Sequence, residues 1–198
     1  MNFNFRNDII LENDRVLIRP MEAADKEHLM PVLIDPTLSK YSVEMINGEE
    51  GVFHYIDKCL GDRKNKIRYP FTFFDKKANA YAGTSCFGDI TNAHKRVEIG
   101  WTKLAKPFQG TGLNAHCKFL LFQYAFDTLA FNRVALKAHS KNIQSRKAMA
   151  KIGATYEGTL RNHFMLYDGT LRDTVYYSVL SEEWAGVKIG LLKLMTQD

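Results

Sequence analysis

Between Val97 and Ala115 the sequence VEIGWTKLAKPFQGTGLNA gathers residues able to hold a polyanion. Gln109, Gly110, Thr111, Gly112, Leu113 and Asn114 form a glycine-rich loop that runs into a long amphipathic pattern. Such a loop at a helix start presents amide donors without intrahelical acceptors, at the positive end of the helix dipole. Glycine removes the Cβ that would hold a phosphate away. GTGLNA formally satisfies the dinucleotide fingerprint GxGxxG/A. Against that reading, several residues separate the loop from its strand, and the next strand, RVALKAH, offers no acidic residue to a ribose hydroxyl. A Walker loop is excluded because no Lys-Ser or Lys-Thr follows the glycines.

The elements that must position this loop are readable from periodicity. Val97, Ile99 and Trp101 alternate with Glu98 and Gly100, as in a strand with one buried face. A bend at Lys106 and Pro107 leads to the loop. The helix Asn114 to Leu129 follows, with Cys117, Leu120, Leu121, Tyr124, Ala125 and Leu129 on one stripe and Phe119, Phe122 and Phe126 on a second, so it is expected to be buried on most sides. A strand at Arg133 to Ala138 then implies a parallel crossover. Asn142 to Ser145 reads as a capped helix start, with Gly153 as the stop. Strands at Ala154 to Leu166 and Asp173 to Leu180 flank a turn at Asp168 and Gly169. Upstream, a frayed N-terminus precedes a strand ending at Pro20. A helix follows, with Leu29, Val32 and Leu33 on one face and Pro31 as a potential kink. A second helix is expected over about Gly48 to Cys59, then a polar loop from Asp62 to Lys66 and a hairpin of Tyr69 to Phe74 with Tyr81 to Phe87.

The 198 residues, 45% hydrophobic and 25% charged, suit one globular domain over 1–198, with a core of about 11–184 and a helical tail of about 181–196. A net charge of +5 favours polyanionic partners in general, yet the basic residues form no run, which argues against a nucleic-acid tail. Cys59, Cys86 and Cys117 have no metal-ligand or CxxC spacing and read as free thiols, so no metal is expected and a cytoplasmic location is. No apolar run reaches the length of a membrane span, and Met1 to Ile10 has no signal-peptide core.

In order and spacing, four segments resemble the GNAT superfamily of acetyl-CoA-dependent N-acetyltransferases, in the branch of the Rim-type ribosomal-protein N-terminal acetyltransferases. They are LENDRVLIRPMEAAD, VEIGWTKLAKPFQGTGLNA, NIQSRKAMAKIGA and GTLRNHFMLYDGTLRDTVYYSVLSEEW. The resemblance implies an α/β (α+β) GNAT fold: a mixed, mostly antiparallel central sheet, splayed at a β-bulge and flanked by helices. It also implies acetyl-CoA as co-substrate and a primary amine as acceptor, either a protein N-terminus or a small molecule. A homodimer stays open. One departure is Asn114, which stands where the family usually has Gly or Ala.

On this resemblance the amides of Gln109, Gly110, Thr111, Gly112, Leu113 and Asn114 would take the pyrophosphate. The strand edge at Ile99, Trp101 and Lys103 would pair with the pantetheine amides. Asn142 would add a hydrogen bond, and Arg146 or Lys147 would neutralise phosphate. Glu98 corresponds to the glutamate many members use as base, or is a salt-bridged strand residue; His163, near Tyr167 on the C-terminal hairpin, is the alternative base. Ser145 matches the serine placed beside the departing thiolate in Rim-type enzymes, or simply bonds backbone at a helix start. A different class of reading is a catalytically silent CoA-binding or RNA- or ribosome-docking module.

Overall fold

In the computed structural model, residues 1–196 are described, so the last two positions of the expected 1–198 domain lie outside the described residues. Eight strands form one sheet in the order β1-β2-β3-β4-β5-β6-β8-β7. They are β1 (Leu11–Glu12), β2 (Val16–Pro20), β3 (Arg68–Asp75), β4 (Ala80–Thr91), β5 (Arg96–Leu104), β6 (Arg133–His139), β7 (Thr155–Met165) and β8 (Leu171–Leu180). Every neighbouring pair is antiparallel except β5 and β6, which run parallel, as the crossover through the helix after the glycine loop requires.

The helices are α1 (Asp25–Leu33), α2 (Gly48–Lys64), α3 (Leu113–Gln123), α4 (Ile143–Lys151) and α5 (Trp184–Met195). Two apolar clusters hold them to the sheet. One joins Val16, Ile18, Phe71, Phe87, Val97 and Ile99 to Cys117, Leu121 and Phe122 of α3 and to Trp184 and Leu191 of α5. The other joins Leu29, Val32 and Leu33 of α1 to Val52, Ile56 and Cys59 of α2. Strand β3 is buried along nearly its whole length, which explains why its central YPFTFF shows no alternation of apolar and charged residues, and its polar residues Arg68, Thr72 and Asp75 are each bonded to a side-chain partner. Cys59, Cys86 and Cys117 are free thiols, all buried.

Three local expectations are corrected. Helix α2 continues to Lys64, because Asp62 binds Arg68 and Arg63 bonds to Phe5 O, Asn7 O and Asp8, so the polar residues DRK are anchored along the helix. The N-terminus is not frayed. Phe3 is buried against Tyr69 and Phe87 and exchanges two hydrogen bonds with Asn92, while Ile9 N–H donates to the Tyr69 hydroxyl. Helix α3 gives way after Gln123 to a π-helical segment, Tyr124–Thr128.

Two irregularities in the centre of the sheet create the space for a site. Strands β5 and β6 pair only at Arg96 with Arg133, Val97 with Val134 and Glu98 with Ala135, then diverge. From Ile99 onward the β6-side edge of β5 has no strand partner among the described residues. On its other side, β5 pairs with β4 through a bulge: Thr84 faces Lys103 and Cys86 faces Gly100, leaving Trp101 and Thr102 opposite Ser85. Trp101 sits at φ 52°, a left-handed conformation uncommon for a side chain of this size.

Candidate active site

The divergence of β5 and β6 opens a cleft of about 1060 Å³, bounded by the glycine loop, the N-terminal half of α4, the segment between α1 and α2, and the C-terminal hairpin. The glycine loop turns through positive φ at Gly110 (78°) and Gly112 (74°), and Gly112 is the N-cap of α3. Among the described residues, the amides of Gly110, Thr111, Gly112, Leu113 and Asn114 have no acceptor within the chain. Five successive free donors at a helix start form an anion cradle. The loop is braced from behind, since Gln109 donates to Leu104 O and accepts from Gln144, and the Thr111 hydroxyl donates to Phe108 O. Gln109, Gly110 and Asn114 reach the cleft wall; the side chains of Thr111 and Leu113 do not, and Leu113 is fully buried in the core.

Glu98 lies at the apex of the splay, only 6% exposed, with its carboxylate 2.6 Å from the Lys137 ammonium on β6. Burial pushes its carboxyl above the usual carboxylate range, although Lys137 opposes the shift. A carboxylate so perturbed is a stronger base than a solvated one. The expected alternation fails at Trp101: the bulge carries it from the Val97 and Ile99 row to the face of Glu98. Its ring covers Gly88, the antiparallel partner of Glu98, where an added Cβ would come within 2.4 Å of ring carbon, and it lies 5.4 Å from the Arg68 guanidinium. Trp101 is therefore 41% exposed on the cleft wall.

Across the cleft, Asn142 caps α4 by accepting from Ser145 N–H at 3.0 Å. That bond fixes the Ser145 backbone and leaves its hydroxyl on the cleft with no partner inside the protein among the described residues. The hydroxyl is thus not engaged in backbone bonding. Arg146 and Lys147 do not line the cleft, and Arg146 donates instead to Ser140 O. His163 is also off the wall, packed against Phe164 and Tyr176, and Tyr167 lines a separate cavity of about 430 Å³ beside Glu44 and His54.

The structure thus brings Glu98, Ile99, Trp101, Lys103, Gln109, Gly110, Asn114, Asn142 and Ser145 to one cleft. It adds four residues that sequence reasoning missed: Lys118, Lys137, His139 and Arg172. Lys118, 5% exposed, donates to Thr102 Oγ1 at 2.9 Å, and the Lys103 ammonium reaches Leu38 O, Ser39 and Ser42. Burial pushes both lysines down to about 8. A signal for Lys118 existed: it is a lone lysine within a helix that the pattern marks as buried on most sides.

A family model described as the acetyltransferase (GNAT) domain matches residues 15–155. YdaF of Bacillus subtilis (strain 168), provisionally named a ribosomal N-acetyltransferase, is 30% identical over 183 residues, which cover 89% of this chain and 97% of YdaF. The crystal structure of a GCN5-related N-acetyltransferase from Brucella melitensis is similar with a TM-score of 0.88 at 25% identity, covering 96% of this chain and 86% of that one. A ribosomal-protein-S5-alanine acetyltransferase from Vibrio fischeri shares the fold, with a TM-score of 0.70 at 18% identity over 89% of this chain and 99% of that one.

Proposed function

The chain belongs to the GNAT acetyltransferase family, and on that premise we propose that it moves an acetyl group from acetyl-CoA to a primary amine by direct attack within a ternary complex. The observation that carries the mechanism is the convergence of Glu98, the unengaged Ser145 hydroxyl and the free-amide loop on one cleft at the splay. The donor set fits coenzyme A: amides of Gly110 to Asn114 suit its pyrophosphate, and the unpaired edge of β5 from Ile99 to Lys103 suits the pantetheine amides. The Asn142 side-chain amide nitrogen, its oxygen committed to the cap, is left as a further donor.

Acetyl transfer requires a neutral amine, whereas an α-amino group titrates at about 7.7 to 8.0 and a lysine-like amine at about 10.4. Glu98 accepts that proton, directly or through water, and Lys137 stabilises the carboxylate before the transfer. Backbone N–H of β5 stabilises negative charge developing on the acetyl carbonyl oxygen. As the carbon–sulfur bond breaks, the Ser145 hydroxyl protonates the thiolate and regains its proton, through water, from the carboxyl of Glu98 that took one from the amine. The acceptor meets the segment between α1 and α2 and the C-terminal hairpin, which form the opposite wall.

Acetyl-CoA is expected to raise the melting temperature while NAD leaves it unchanged; the reverse pattern would refute the reading. Glu98→Gln and Ser145→Ala should each lower kcat by about 10²-fold, the usual contribution of a positioned acid or base, with a smaller change in acetyl-CoA affinity. Unchanged turnover in both removes them from the mechanism.

A further inference from the structure

The cleft's charges are unequally satisfied. Each acidic residue on its wall already has a cation: Glu44 pairs with Lys58, Asp89 with Arg96 at 2.5 Å and Glu98 with Lys137 at 2.6 Å. Five basic residues on the same wall, Lys40, Lys103, Lys118, Lys141 and Arg172, meet no carboxylate among the described residues. Lys141 neighbours the Asn142 cap and suits the phosphates of the coenzyme. Lys103 and Lys118 differ from a solvated surplus, because they are 6% and 5% exposed and rest only on neutral oxygens. Buried ammonium groups are ordinarily paired, and a pair left incomplete in the chain is completed by a ligand or by loss of the proton. Burial indeed moves both lysines down to about 8, the direction expected of an ammonium with no counter-charge beside it.

Position assigns the anion to the acceptor. Lys103 is held by Leu38 O, Ser39 and Ser42 of the segment between α1 and α2, the wall facing the acceptor, and its ammonium lies 5.8 Å from the Tyr55 ring on α2. Arg172, from the hairpin on the other side, donates to Tyr41 O of that same segment and keeps a buried Nε with no hydrogen-bond partner among the described residues. Building on the transferase reading, we propose that the acceptor is a primary amine carrying an anionic group of its own, a carboxylate or a phosphate, held by Lys103 with Arg172 at the rim. Polycationic amines are excluded by the same charges.

Matched acceptors test this with thiol release as readout: an amino acid against its amide, phosphoethanolamine against ethanolamine, and spermidine and an aminoglycoside as polycations. The anionic member of at least one pair is expected to exceed its neutral counterpart by about tenfold or more in kcat/KM, the scale of a charge-assisted contact. Which pair responds identifies carboxylate or phosphate. In Lys103→Met and Arg172→Met that preference should fall about tenfold, mainly through KM for the acid. If the variants fail to fold, the wild-type ratios still decide. Turnover that favours amides, ethanolamine or spermidine overturns the proposal while leaving the transferase reading intact. Thiol release from no amine at all overturns both.

Discussion

Replacing Lys137 with methionine keeps much of the side chain's length and removes the cation facing Glu98. Glu98 then sits buried with no ion-pair partner among the described residues, and Arg172 acts on it only from a distance. Breaking a buried pair from one side costs about 3–5 kcal/mol, and because Lys137 retains some solvent contact the cost is discounted to about 2–3 kcal/mol. For a chain of this size each kcal/mol is worth about 2–4 °C, so melting should fall by about 4–12 °C near neutral pH. The sign with pH follows from the direction of the shift. Glu98 already has a folded-state pKa above its unfolded one, so its contribution is most favourable below the unfolded pKa and is lost as pH rises through the folded pKa. Without Lys137 the folded pKa moves further up, and the loss on raising pH grows. Thermal melts of the variant and wild type from about pH 5 to pH 8 should therefore show the deficit shrinking toward the acid end. The acidic limb of the kcat/KM profile should move to higher pH in Lys137→Met. Adding Glu98→Gln to Lys137→Met should restore part of the stability, because no buried charge then remains. A deficit independent of pH, or a double variant less stable than Lys137→Met alone, would refute the assignment of this pair.

Two further substitutions probe the frame of the site. Gly83→Ala would place a Cβ 2.2 Å from Lys103 O, a backbone atom that cannot rotate away, so β4 and β5 must separate beside the bulge. The expected loss is about 2–3 kcal/mol, read as a lower denaturant midpoint with a raised KM for acetyl-CoA, and an unshifted midpoint would contradict it. Asn142→Ala removes the α4 cap and frees the Ser145 backbone; stability should fall by about 1 kcal/mol and kcat should fall with it, whereas a stability loss with full turnover would separate the cap from the chemistry.

Much of the frame was legible because it is written in local periodicity. Glycines in sequence, an apolar stripe from Cys117 to Leu129 and a following β pattern at Arg133 specify strand, loop, helix and parallel strand without reference to the rest of the chain. The cap at Asn142 was equally local. What escaped depends on contacts between segments far apart. Trp101 reads as one more member of the Val97 and Ile99 row, since nothing in WTK announces a bulge; the extra residue is measurable only against Ser85 on β4. The polar end of α2 reads as loop because the groups that anchor it, Phe5, Asn7, Asp8 and Arg68, lie outside the helix. Lys137 alternates normally along β6, and its role follows only from the parallel pairing of Glu98 with Ala135, which sets Lys137, two residues further along β6, within reach of the carboxylate. Lys118 was visible as an anomaly but not as a partner of Thr102.

The placement of the cysteines affects how activity can be followed. Cys59, Cys86 and Cys117 each have 0% relative exposure, and burial raises the Cys117 thiol to about 12. A disulfide reagent added to folded protein should therefore stay colourless until coenzyme A is liberated, giving a continuous assay with a flat baseline. The same reagent without substrate becomes a clock for opening of the fold. Cys117 reports on α3 and Cys59 on α2, so variants carrying one or the other alone would time the release of the two faces of the sheet separately.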